Sequence, residues 1–559
     1  MKIEFYSKPL FNQRLPRAAA CVADFARCNP LFTLCFMVFV AWAARISWQN
    51  PLGPGQDQHY HFMCASIVAR WWRSDPTVRE LYKFTNPLDA NTLLYYMLLP
   101  LNLLLRPLTA WRIGIPAFYF VGYPAACAIA LKILRRPLWG AMLAFPLAYV
   151  KGWSQGGFMP FTSAAPFFVL SIALMHRVYD RPSSSVGTLS FQSSELRVVV
   201  ASIFVCAFMF LAHAHVYAWA MCMLAIITLV AMCRLFMIEV GVHGIRGAAA
   251  AIRVGILSLL VVAPSLALFA FWYWRTHHGV NSENGAVSWT AEEVPWPQRV
   301  QILLASFIHV RHPLEWAWAV ALACGLMMIA LLSGRSSRRE LRTPELAAIL
   351  SLASFIVLPP SVDGQWVGIR HIDFFQWCLP LVVCPALPRG RLSAGITIAA
   401  VVALCAARLT WLESNLRKLQ REYDGINVLA NSCPSGPARI AQVTFQSMSN
   451  YWEAKSLQQS HETFAAMCGL DTPVFDTTRY PYHVIPVRYR GKLPAPVTIL
   501  ENRPRWYEHA GLWKDFDYVL VHQLKSSQRD LDSLNALAVR VAVWNEWELW
   551  KSRAKVADR

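Results

Sequence analysis

Apolar runs dominate the first four-fifths of the chain, recurring near 31–46, 92–105, 113–131, 137–150, 158–176, 198–213, 216–233, 254–273, 314–332, 345–358, 372–387 and 394–408. The first is typical: Cys28 to Ala44 carries no charge, as a spanning helix requires. Several runs are shorter than the roughly 20 residues of a perpendicular helix, which predicts tilted, broken or re-entrant pieces. Beyond residue 410 the pattern changes to short strand-like runs: Ile440–Phe445, Val484–Tyr489, Val497–Leu500, Tyr518–His522, Val539–Trp544 and Trp547–Trp550. These alternate with helical stretches near 448–467 and 525–537, which predicts a small α/β domain. The fold class is therefore a polytopic α-helical membrane protein, with roughly eleven to thirteen spans over 1–410 and a C-terminal α/β domain over 411–559.

Basic residues orient the runs. Lys2, Lys8, Arg14, Arg17 and Arg27 hold the N-terminus in the cytoplasm, and Arg335, Arg338, Arg339 and Arg342, then Arg389 with Arg391, mark later cytoplasmic turns. On this topology three regions gather outside: the loop 47–90, the loop 274–312 and the terminal domain. One conflict of parity arises. Residues 91–134 must cross an odd number of times, yet they read as two runs. Within the first loop, Tyr60, Met63, Ile67 and Trp71 recur at helical spacing above Arg70 and Arg73, which predicts an interfacial helix.

Composition agrees with this reading. The 559 residues are 56% hydrophobic and only 15% charged, with a mean hydropathy of +0.35, far from a soluble domain. The net charge of +19 sits in short loops facing anionic headgroups, so nucleic acid is not the expected partner. Most of the fourteen cysteines lie in apolar runs and act as small hydrophobes. Only Cys433 and Cys468 belong to the polar end, where they pair as a disulfide or remain as two thiols. The basic leader is too long for a cleaved signal peptide, so an uncleaved signal anchor is expected.

Candidate chemistry begins at Gly55-Gln56-Asp57-Gln58-His59-Tyr60-His61, just past the first span. A carboxylate at the membrane boundary can take a proton from an acceptor hydroxyl; Asp57 equally suits the N-cap of the helix that follows. His59 and His61, with His213 and His215, form two His-x-His pairs. They suit a divalent metal only if the pairs meet, and otherwise substrate hydrogen bonding or interfacial packing. Arg275, Arg299 and Arg370-His371, with Arg311-His312 as a fourth candidate, offer guanidinium forks to a lipid-linked phosphate, or anchor headgroups. Gly156-Gly157-Phe158-Met159-Pro160-Phe161 breaks two apolar runs and either shapes a cavity or makes a plain turn.

The acidic residue in the first outer loop, the helix that follows it, the dozen spans and the exported terminal domain resemble the GT-C superfamily of integral-membrane glycosyltransferases. Gly157-Phe158-Met159-Pro160-Phe161, Leu211-Ala212-His213-Ala214-His215, Phe516-Asp517-Tyr518-Val519-Leu520-Val521 and Trp547-Glu548-Leu549-Trp550-Lys551 resemble stretches of bacterial proteins of that type. The resemblance implies an inverting transfer of sugar from a polyprenyl-phosphate donor to a cell-envelope glycan or lipid, on the outer face of a bacterial inner membrane. It implies that Asp57 is base or acceptor-orienting group, and that outer arginines or histidines bind the donor phosphate. Asp57-Gln58 departs from the commoner Asp-Glu pair, so a second carboxylate, where the chemistry requires one, comes from elsewhere, with Glu283, Glu292 and Glu293 as candidates; a divalent metal is possible but not assumed. A transporter of lipid-linked glycans and a non-catalytic envelope scaffold are the rival classes; the first predicts paired halves and deep charges, neither of which the chain shows.

Overall fold

The computed structural model describes residues 26–49, 58–84, 87–148, 159–179, 193–243, 245–278, 342–358, 367–383 and 391–423. It also describes the pieces 291–292, 361–362, 438–444, 474–476, 487–489, 517–522, 534–544 and 547–553, with a few isolated positions. Among these, seven helices are long and apolar enough to cross a membrane: Pro30–Gln49, Pro107–Ile133, Met159–Tyr179, Glu195–Ala212, Ala214–Met237, Ala248–Arg275 and Leu392–Ser414. Shorter apolar helices occupy Leu93–Leu104, Leu138–Leu147 and Thr343–Val357. The chain is thus a polytopic membrane protein. The run 314–332 lies outside the described residues.

Met159–Tyr179 is the central span. Phe168, Val169, Ile172 and Ala173 are sealed within it, whereas Phe204, Phe208, Leu229, Met237 and Leu259 are exposed on the outer helices. Large apolar side chains turned outward are what a lipid-facing surface requires.

Cross-helix contacts sort the bundle into two ends. At one end Arg136 donates to both carboxylate oxygens of Glu345, at 2.7 and 2.8 Å, and to the Leu381 carbonyl at 2.6 Å. His176 meets Thr343 at 3.0 Å there, on the same neighbouring helix as Glu345. Glu195 accepts from Arg253 at 2.8 Å while Phe210 meets Phe269 at 6.2 Å. These two contacts set Ser193–Ala212 parallel to Ile245–His278. Tyr217 donates to Ser265 at 2.9 Å, and a Cβ on Gly255 would lie 3.0 Å from Met232, so Ala214–His243 runs the opposite way. The chain therefore reverses at His213, as the apolar pattern predicts.

The parity conflict resolves here. Pro107–Ile133 is one long helix, opened into a π-helical turn over Pro116–Gly122. Pro116 cannot donate to the preceding turn, so the ladder widens rather than ending. Leu93–Leu104 has twelve residues, about 18 Å of helix, too short for a core of about 30 Å. Arg73 caps it, donating to the Asn102 and Leu103 carbonyls at 2.7 and 2.8 Å. Residues 91–134 thus hold one full crossing.

The first-loop helix, Gln58–Trp72, forms as expected, but it does not lie with one face in lipid. His61 through Ala69 are all buried, because Leu93–Leu104 packs along it and Phe62 meets Trp111 edge-on at 5.2 Å. Beyond it, β1 (Tyr82–Phe84) pairs antiparallel with β6 (Val487–Tyr489), Tyr82 opposite Tyr489. Likewise β2 (Ala291–Glu292) pairs with β3 (Ser361–Val362).

The terminal domain carries a five-stranded sheet in the order β5-β4-β7-β9-β8, built from β4 (Ala438–Thr444), β5 (Val474–Asp476), β7 (Tyr518–His522), β8 (Ala538–Trp544) and β9 (Trp547–Ser552). The first three are parallel and the last two antiparallel. Leu520, Trp547 and Leu549 are buried on one face and Val519 and Trp550 on the other, so the middle of the sheet is covered on both sides. Residues 448–467 and 497–500, with Cys433 and Cys468, lie outside the described residues.

Candidate functional site

At the end of the bundle opposite Arg136, three distant parts of the chain meet around Phe161. The break that ends in Met159-Pro160-Phe161 becomes the first turn of the central span, and there the Phe161 ring is buried. His213, at the reversal between two spans, lies edge-on to it at 5.3 Å, and His215 is tilted against it at 6.4 Å. From Val367–Val382 come Phe374 at 5.7 Å, Trp377 at 5.1 Å, and the Arg370 guanidinium, 5.5 Å from the ring centre. A cation over an aromatic face is held electrostatically without consuming its hydrogen-bond donors, so this contact leaves the Arg370 fork able to serve other partners.

The first-loop helix brings His61 to the same place. Its Nδ1 lies 2.7 Å from the hydroxyl of Tyr95, on Leu93–Leu104, and both side chains are buried. Burial pushes the His61 imidazole down to about 3, so it is neutral near pH 7. His213 is also held well below its ordinary value, first by burial and then by the charges of Arg370, His215 and His61. These imidazoles and the guanidinium therefore share one electrostatic environment. His213 Nδ1 is buried with no hydrogen-bond partner among the described residues. Leaving such an atom unmatched costs about 1–3 kcal/mol, so an ordered water or a bound group is its natural partner.

Behind these groups sits a chain of hydrogen bonds. His215 Nε2 lies 3.3 Å from His371 Nε2. His371 Nδ1 lies 2.7 Å from the Ser354 hydroxyl, which reaches the Ser351 carbonyl at 2.8 Å. Trp219 packs edge-on against His371 at 4.4 Å and donates to the Ser351 hydroxyl at 3.4 Å.

The predicted residues divide as follows. His61, His213, His215 and Arg370 come together. Arg275 forms an ion pair with Asp89 of the first loop, its guanidinium 5.8 Å from the Phe271 ring. Asp57 and Arg299 lie outside the described residues, as do Arg311, Glu283 and Glu293. His59 and Glu292 fall within a helix and a strand whose side chains at those positions are not described. Among the described residues, no three His, Cys, Asp or Glu side chains gather closely enough to hold a metal ion. The residues missed by sequence reasoning are Tyr95, Ser354 and Trp377, each of which joins the site through a partner remote in the chain; the sequence singles out His371 only as the neighbour of Arg370.

Fold and site together define a many-spanning membrane protein with a cluster of imidazoles, one guanidinium and aromatic rings at one end of its bundle. No family model and no curated protein matches the chain. Among solved structures it is similar to ArnT from Cupriavidus metallidurans in the apo state, at 13% sequence identity and a TM-score of 0.47, over 93% of this chain and 98% of that one.

Proposed function

We propose that the protein is an integral-membrane glycosyltransferase of a bacterial inner membrane, moving a sugar from a polyprenyl-phosphate donor to a cell-envelope glycan or lipid. The observation that carries this reading is the meeting of His61, His213, His215 and Arg370 around Phe161. A sugar phosphate needs a cation at its leaving group and neutral acceptors for its hydroxyls, and the cluster offers both.

In this reaction the acceptor hydroxyl oxygen attacks the anomeric carbon as the bond from that carbon to the phosphate oxygen breaks. The hydroxyl proton passes to the Asp57 carboxylate. The phosphate departs with the bonding electron pair, its added charge met by Arg370. A single displacement of this kind inverts the anomeric centre. His61, in the first turn of its helix and buried neutral, orients an acceptor hydroxyl rather than donating charge.

The test uses the full chain in proteoliposomes with polyprenyl-phosphate donors bearing a panel of labelled sugars. Transfer by the native protein, lost in Asp57→Asn and in Arg370→Ala, supports the reading. An Asp57→Asn protein with full activity removes Asp57 from its role. Donor sequestered without turnover points instead to a carrier of lipid-linked glycans.

A further inference from the structure

The geometry behind the cluster goes a step further, and the step rests on the functional reading above. The Ser354 hydroxyl has one hydrogen and two neighbours that can receive it, the Ser351 carbonyl at 2.8 Å and His371 Nδ1 at 2.7 Å. With that hydrogen on the carbonyl, the Ser354 oxygen offers its lone pairs to His371, and Nδ1 then carries the hydrogen of their contact. A neutral His371 protonated at Nδ1 has a bare Nε2. The only hydrogen that can fill the 3.3 Å contact with His215 Nε2 is therefore the one on His215. Two Nε2–H groups cannot face each other, so the pair accommodates at most one further proton. His215, neutral and protonated at Nε2, is left with Nδ1 as its one acceptor.

We propose that His371 and Ser354 are positioning residues that hold His215 in the Nε2–H tautomer, so that its Nδ1 accepts a hydroxyl hydrogen of the sugar or its acceptor. Packing reinforces the arrangement. Trp219 lies 4.4 Å from His371, and Phe374 closes on His215 at 5.8 Å and on His371 at 5.3 Å. Both rings are thus restrained from flipping, and a hydroxyl two hydrogen bonds away determines which atom of His215 meets the substrate. This is how the partner of one ring nitrogen sets the chemistry of the other.

The test has two readouts. The first is the nitrogen-15 spectrum of histidine-labelled full-length protein in lipid nanodiscs, with signals assigned by loss in His215→Asn and His371→Asn. The native protein is expected to show His371 protonated at Nδ1 and His215 at Nε2. Ser354→Ala, a small change well tolerated in a helix, is expected to mix both tautomers, and Ser354→Thr to restore them. The second readout is transfer in proteoliposomes, where Ser354→Ala should lower kcat by about tenfold, the worth of one hydrogen bond, with KM within about twofold and recovery in Ser354→Thr. His215 protonated at Nδ1 in the native protein, or tautomers unmoved by Ser354→Ala, overturns the proposal. Correct tautomers with kcat unmoved by Ser354→Ala overturn it as well. Correct tautomers with no transfer by any variant, the native protein included, overturn the functional reading instead.

Discussion

His61 Nδ1 lies 2.7 Å from the Tyr95 hydroxyl, and neither side chain reaches solvent. The pair joins the first-loop helix to Leu93–Leu104, so it is both a structural tie and the mounting of a site residue. Tyr95→Phe keeps the ring and removes one partner of a buried hydrogen bond. The expected outcome is a loss of about 1–3 kcal/mol, read by thermal unfolding of the purified protein, together with reduced transfer. A variant as stable and active as the native protein would show that the contact does not hold His61.

The same imidazole predicts a dependence of stability on pH. In the unfolded chain a histidine titrates near its ordinary value of about 6.5, whereas burial lowers His61 to about 3 in the fold. Between those values the unfolded chain binds the extra proton, so this contribution is full above the unfolded value and is lost as pH falls through the window. The slope reaches at most about 1.4 kcal/mol per pH unit. Unfolding midpoints measured from pH 7.5 to 4.5 should fall more steeply for the native protein than for His61→Gln.

Arg370 over Phe161 predicts a distinction between charge and shape. Arg370→Lys keeps the cation but loses the planar fork, and should lower kcat by about 10- to 100-fold. Arg370→Ala should cost about 100- to 1,000-fold, the scale for removing a group aimed at developing charge. Equal activities in the lysine and arginine forms would argue for a headgroup anchor rather than a leaving-group contact.

Asp89 and Arg275 fasten the first loop to the mouth of a span. Asp89→Asn and Arg275→Gln should each destabilise the protein, and the reversed pair Asp89→Arg with Arg275→Asp should recover part of the loss. A double-mutant cycle on thermal unfolding should give a coupling of about 1–2 kcal/mol. Additive losses would mean that the two side chains act separately.

Hydropathy made the spans legible because burial in lipid imposes a long uniform run, which a single chain displays without reference to any other part. The terminal strands were legible for a related reason. The strand Tyr518–His522 shows no alternation, but its continuous buried run of Tyr518, Val519, Leu520 and Val521 marks a strand covered on both sides. The three-residue strand Val474–Asp476 was not legible, being too short for any period to show. At the site, the His-x-His pairs, Arg370 and the Phe161 break all stood out in the sequence, yet their meeting did not. Tyr95, Ser354 and His371 have roles set by partners 17 to 156 positions away, and no local pattern encodes such a distance. The burial of the first-loop helix was hidden for the same reason, since the helix that covers it lies in another run.

The pairing of β1 with β6 places Tyr82 opposite Tyr489, residues made about four hundred positions apart during synthesis. The ribosome therefore completes nearly the whole bundle before the strand that fastens the loop bearing Asp57 has even emerged. Maturation of that end is a late event, and a chain truncated before residue 480 should insert yet stay cleavable by protease near Tyr82, where the full-length product resists.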